Sequence, residues 1–259
     1  MDPKPGLRFI VLDTVSENGG DGGNIDDAQF KWLHQRLIEA EAEADRKLVM
    51  VFGHHTLRTM DQPPASPFTG GDDTGGSRSP DVHFGQEPVG DGGRRPSCRV
   101  KDPLATPTPD ETLRCLLLRH RGAVAYVAGH EHQNVITPYE RESGAGRAEG
   151  GFWEIATASH IDWPQQSRSI DLFDDADGNL SIFGTIIDHS GAPNPGGAPA
   201  PRDGQGQATD SSSRLASISR ELAYNDPDAN NGEDGRSDAR GGRDDRNVEL
   251  LVRNPYAAP

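Results

Sequence analysis

The stretch VAYVAGHEHQN, residues 124–134, decides how this chain reads. From Val124 to Ala128 the residues are apolar or aromatic without alternation, the pattern of a strand buried on both faces of a parallel sheet. The run stops at Gly129 and then presents His130 and His132 with one residue between them. A second apolar run, KLVMVFGHH (47–55), ends the same way, at Gly53, His54 and His55. An earlier run, LRFIVLDT (7–14), reads as a third strand of this kind. Between the first two runs in chain order, residues 26–47 predict a helix: Phe30, Leu33, Leu37 and Ile38 fall at helical spacing, behind Asp26 and Asp27. TPDETLRCLLLRHRG (108–122) predicts a capped helix from about Asp110 to His120. The order strand, helix, strand, loop, helix, strand predicts an α/β protein with parallel strands.

Beyond Asn134, GGFWEIATAS (150–159) predicts another strand. RSIDLFD (168–174) and LSIFGTIID (180–188), joined by DADGN, predict an antiparallel hairpin. The segment from Asp61 to Ser97 is crowded with Pro, Gly, Asp and Ser and reads as a long surface loop. Residues 190–213 read as a Pro/Gly-rich linker. RLASISRELAY (214–224) predicts a helix, 225–245 a polar loop, and NVELLV (247–252) a last strand docking on the core. The domain scheme is therefore 1–189, a linker, and 214–259.

Composition excludes some functions. The formal net charge of −15 argues against nucleic acid as a partner, because phosphate-backbone binders concentrate Lys and Arg. The hydrophobic fraction is 32%, roughly 44% with glycine, a little below the usual ~45–50%, so polar tracts dilute the core. Cys98 and Cys115 lack CxxC spacing and form no framework, although one disulfide is open to them. No apolar run approaches ~20 residues, so no transmembrane segment is expected. The first residues lack a signal peptide's basic and apolar regions, and localisation is left undetermined.

In a parallel α/β sheet, ligand sites form outside the carboxyl ends of the strands. Two strands here carry Gly-His to that end, and neutral imidazoles are the commonest protein metal ligands. A lone Gly-His-x-His fits a surface loop or hydrogen-bonded core histidines equally well; the second Gly-His favours convergence. Alternation along an extended backbone would point His130 and His132 the same way, toward adjacent metal ions ~3.5–4 Å apart. His55 reads as a residue behind the ligands or facing substrate, or as merely structural. His83, His160 and His189 read as structural. DDADGN and NDPDANNG lack the ligand spacing of calcium loops. There is no Gly-Lys-Ser/Thr phosphate loop and no Gly-x-Ser-x-Gly elbow.

Taken in order, LDT (12–14), GNIDDAQFKWL (23–33), VMVFGHH (49–55) and AGHEHQN (128–134) resemble the C-terminal half of a calcineurin-like metallophosphoesterase. The segments ASHIDWPQQSRSIDLF, SRELAYND and DRNVELL are similar to a bacterial, largely actinobacterial, branch of that superfamily. The resemblance implies an α/β sandwich and hydrolysis of a small-molecule phosphate mono- or diester by a metal-held hydroxide. It implies two metal ions, Zn, Mn or Fe, with His54 and His130 on one and His132 on the other. Arg168 and Arg246 are candidates for a phosphate clamp, or are surface arginines without that role. The family's Asp-x-His, Gly-Asp-x-x-Asp and Gly-Asn-His-Asp/Glu motifs belong ahead of residues 7–14, and none of them stands there. That predicts weak metal binding, little hydrolysis, exposed apolar sheet edges, and coding DNA that reads on upstream into those motifs. The competing expectation is a non-catalytic metal-binding or interaction module.

Overall fold

A computed structural model describes residues 1–17, 19–42, 46–63, 82–90, 95–142, 148–189, 211–226 and 239–257. The elements in chain order are β1 (Leu7–Val11), β2 (Ile25–Asp26), α1 (Asp27–Glu41), β3 (Leu48–Phe52), β4 (Val82–His83), α2 (Leu113–Arg119) and β5 (Ala123–Ala128). They continue with β6 (Val135–Glu142), β7 (Ala148–Ala156), β8 (Ser167–Asp174), β9 (Asn179–Ile187), α3 (Ser211–Asn225) and β10 (Val248–Arg253). The central sheet has the order β1-β3-β5-β7-β6; its first four strands are parallel and β6 is antiparallel. The α/β reading with a mainly parallel sheet therefore holds, and among the described residues no helix is long and apolar enough to cross a membrane.

Burial on both faces explains the unbroken apolar runs. On one face Val49, Val51, Ala123 and Tyr126 pack under Phe30, Leu33 and Leu37 of α1 and Leu113, Leu116 and Leu117 of α2. On the other face Leu7, Met50, Val124 and Ile155 pack against Leu180, Ile182, Leu250 and Val252. Those last residues belong to a second sheet, β10-β9-β8, which is antiparallel throughout. The predicted hairpin is β8 and β9, and the last predicted strand is β10, zipped onto β9 with Leu250 opposite Ile182. Each apolar layer removes surface from water at about 25 cal/mol per Å².

Several expectations need correction. The first helix ends at Glu41, because Ala42 leaves helical geometry (ψ 135°) and Lys47 N–H turns back to Ala40 O (2.6 Å) to start β3. Residues 43–45 lie outside the described residues. The second helix starts later than predicted, since Thr112 is its cap, its hydroxyl accepting from Cys115 N–H. The predicted loop 61–97 contains β4, which pairs antiparallel with β2; residues 64–81 and 91–94 lie outside the described residues. So do 190–210 of the predicted linker and 227–238 of the predicted polar loop, whereas 211–213 belong to α3 and 243–245 form a 3-10 turn. Sequence reading missed β6. Pro138 within it argues against a strand, and is tolerated because β6 lies at the sheet edge. Cys98 and Cys115 form a disulfide.

The other edge is β1, where Val11 is 72% exposed. It is partly covered: the Met1 and Phe9 main chains exchange two hydrogen bonds, of 2.9 and 2.8 Å.

Candidate metal centre

Three parallel strands stop in register at one end of the sheet, and each hands its chain to a loop that meets the others there. Leu12 N–H reaches Phe52 O, Gly53 N–H reaches Val127 O, and Gly129 N–H reaches His54 O at 2.9 Å. That last bond ties the two Gly-His segments together. The result is a cluster: ligand-type nitrogens of His54, His55 and His130 lie within 4.8 Å of one another.

The glycines differ in their reasons for being there. A side chain at Gly53 would collide with the buried Tyr126 hydroxyl, which donates to His55 O at 2.6 Å. A side chain at Gly23 would collide with the His55 ring. At Gly129 an added carbon would meet nothing closer than 3.9 Å. The sharp turn there is made by the histidines themselves: His130 and His132 have φ of 65° and 55°, left-handed conformations that are uncommon outside glycine. Alternation of an extended strand therefore does not apply, and the two rings go to different partners.

His130 Nδ1 stands 3.1 Å from His54 Nε2. Two nitrogens bound at ~2.0–2.1 Å to one ion are separated by roughly 2.9–3.4 Å across octahedral or tetrahedral angles, so this pair fits a shared ion. Burial, reinforced by the His55 and His54 imidazoles, lowers the His130 pKa to about 4, which keeps the ring neutral near pH 7. His55 is buried and already bonded at both nitrogens. Its Nε2–H donates to Asp21 O (3.1 Å), so its Nδ1 accepts from the Thr14 hydroxyl (2.8 Å). Burial lowers its pKa as well, with a further push from His54. His55 thus sits behind the His54/His130 pair as a fixed neutral support.

His132 lies outside the cluster. Its Nδ1 pairs with the Asp162 carboxylate, and a carboxylate on one ring nitrogen leaves Nε2 as the free acceptor, the tautomer that metal-ligating histidines adopt. Glu131, between the histidines, is held by Thr56 (3.0 Å) and by Arg58. Thr14, Asp21, Asp162 and Glu131 were not singled out in the sequence; only the acidic and hydroxyl chemistry of loops following strands could have flagged them.

The two candidate clamp arginines are engaged elsewhere. Arg168 donates to Arg246 O (2.7 Å), Asp245 O (2.6 Å) and Asn134 Oδ1 (3.3 Å), and burial lowers its pKa to about 10. Arg246 turns its Nε–H to Gly242 O. Both arginines brace the 3-10 turn against the sheet end, beside the fully buried Asn134. His83 stacks on Phe30 at 3.7 Å and donates to Glu111 O; His160 and His189 bond Ser167 and Gln165. A further ligand-type group, Glu87 with Cys98 and Cys115, has its sulfurs joined in the disulfide and offers no thiolate. No family model and no curated protein matches this chain.

Proposed function

We propose that the protein is a metal-dependent phosphoesterase whose metal is held at the carboxyl ends of β3 and β5. The observation that carries the reading is the His54 Nε2 and His130 Nδ1 pair at 3.1 Å, set on a neutral, buried His55. The ordered resemblance of the flanking segments to calcineurin-like metallophosphoesterases supplies the reaction class. Divalent ions bound there supply Lewis acidity, polarising a phosphoryl oxygen and making water a nucleophile near neutral pH. The protein's part is geometric. His54 and His130 offer lone pairs from two loops locked by the Gly129 N–H to His54 O bond. Thr14 and the Asp21 carbonyl fix the ring behind them. Asp162 orients His132 with its Nε2 lone pair free for a second ion.

One observation favours a second reading, a single-ion binding module without hydrolysis: His132 lies outside the cluster that gathers His54, His55 and His130. One experiment separates the two. The chelator-stripped chain is titrated with Zn²⁺ or Mn²⁺ in a calorimeter, and its hydrolysis of p-nitrophenyl phosphate and bis-p-nitrophenyl phosphate is followed. The phosphoesterase reading expects slow, metal-dependent turnover, because the motifs absent ahead of β1 leave the ligand set short, and His130→Ala and His132→Ala should each abolish it. Binding of one ion without turnover selects the module. Turnover that survives loss of both histidines rejects the site.

A further inference from the structure

His54 is exposed, and among the described residues its imidazole has one hydrogen-bonding neighbour, His130 Nδ1. The direction of the ring is therefore set mainly by the main chain of residues 53–57. That chain is gripped at successive peptide groups. His54 O accepts from Gly129 N–H (2.9 Å), His55 O accepts from the Tyr126 hydroxyl (2.6 Å), and Leu57 N–H donates to Glu154 Oε1 (2.6 Å). Beyond Leu57 the chain makes one helical turn, in which Thr59 and Met60 N–H both return to Thr56 O. The Leu57 amide stands at the start of that turn, where the turn itself offers no acceptor, and Glu154 supplies one.

Glu154 is the unusual member of the grip. It lies on β7 directly opposite Tyr126 of β5, so the carboxyl and the phenol reach the loop from neighbouring strands. Its residue is buried, and its second oxygen, Oε2, lies 3.2 Å from the Tyr139 hydroxyl of β6. Neither partner is a cation. Among the described residues Glu154 makes no ion pair; Arg58 and Arg95 act on it only from further off, and burial raises its pKa. Two residues earlier on the same strand, the apolar Phe152 fills the core. A buried carboxyl without a counter-ion is a local cost to the fold, and groups perturbed in this way gather at functional sites.

We propose that Glu154 and Tyr126 are a positioning pair for the metal centre: by fixing Leu57 N–H and His55 O they set the His54 ring at ligand spacing from His130. The proposal rests on the metal-centre reading and deepens it. Neither residue is a ligand; both act through the main chain of residues 55–57, as groups behind metal ligands commonly do. The same turn is tied to the other loop, because the Thr56 hydroxyl donates to Glu131, between His130 and His132, at 3.0 Å. A displaced turn would therefore disturb both Gly-His segments.

The probe is Co²⁺, titrated into the full-length, chelator-stripped chain and followed by its visible absorption, which reports ligand geometry; Zn²⁺ affinity is measured alongside by calorimetry. Glu154→Ala is expected to weaken both ions about tenfold or more and to change the Co²⁺ band shape. Glu154→Gln keeps an oxygen that can accept from Leu57 N–H, and is expected to restore the spectrum and bring affinity within about threefold of wild type. Tyr126→Phe keeps the ring, loses the bond to His55 O, and is expected to change the band shape as well. The double variant Cys98→Ser, Cys115→Ser, destabilised at the other end of the sheet, is expected to leave affinity and spectrum unchanged, which separates positioning from loss of stability. Wild-type affinity and band shape in Glu154→Ala and Tyr126→Phe would overturn the proposal, and so would a Gln variant as impaired as the Ala variant. Should Glu154→Ala fail to fold, a wild-type spectrum in Tyr126→Phe overturns the proposal by itself. Absence of binding in the wild type, or binding that survives His54→Ala together with His130→Ala, would instead reject the metal centre on which the pair acts.

Discussion

The two ends of the central sheet make opposite uses of charge. At the carboxyl end, imidazoles are kept neutral: burial lowers His130 and His55, and the nitrogens face one another at ligand spacing. At the amino end, arginines and a lysine outnumber the carboxylates around a cavity of about 320 Å³. The first arrangement suits a cation, whereas the second gathers positive charge. The lesson is that strand direction does not alone decide where a parallel sheet opens a cavity. Loops converge at the carboxyl end, but a strap clipped by a disulfide can build a pocket at the other.

The largest expected effect tests whether the ends are independent. The double variant His54→Ala, His130→Ala should lose Zn²⁺ affinity by more than about 10³-fold, roughly 4 kcal/mol, in a calorimetric titration. Its unfolding midpoint in metal-free urea should stay near wild type, because His54 is exposed and His130 only half-buried. A collapse of the fold would mean that the imidazoles are packing residues rather than ligands.

Next comes the clip at the opposite end. Replacing Cys98 and Cys115 by Ser releases a closure of 17 residues and should cost about 3 kcal/mol in urea unfolding. Metal affinity at the far end should be unchanged. A pH series sharpens the same region. Burial raises Glu111 to about 7, despite Arg119 nearby. Its folded pKa then exceeds its unfolded value, so the folded state binds the extra proton between pH 4.5 and 7. Stability should therefore fall as pH rises through that window, by up to about 3 kcal/mol, and level off above it. Glu111→Gln should flatten that part of the profile; an unchanged slope would sink the assignment.

The smallest pair of effects compares the glycines. Gly53→Ala drives a methyl into the Tyr126 hydroxyl and should cost about 1–3 kcal/mol while disordering His54. Gly129→Ala has room for its methyl and should change stability by less than about 1 kcal/mol, in either direction. Equal costs at the two positions would show that the glycines serve a shared turn after all.

Much of the fold was legible because burial on two faces leaves a plain mark. Runs such as 48–52 and 123–128 are apolar throughout, and α1 shows its stripe at Phe30, Leu33 and Leu37. The hairpin of β8 and β9 and the docking of β10 were equally readable from turn chemistry and apolar content. β6 was not, because Pro138 breaks the local pattern and only its place at a sheet edge excuses it.

For the sites, the sequence alone determined that Gly-His ends two buried strands, which brings His54 and His130 together once those strands are parallel neighbours. Only the tertiary structure decided that His130 and His132 diverge, since their left-handed backbone follows from loop packing and not from strand alternation. The tertiary structure likewise fixed Arg168 on main-chain carbonyls. It also assembled the cationic cavity from α1, the 97–103 strap, α2 and β6, segments distant in the chain with no shared motif. A motif records neighbours along the chain, whereas a charge cluster of this kind records neighbours across it, and folding alone brings those into contact.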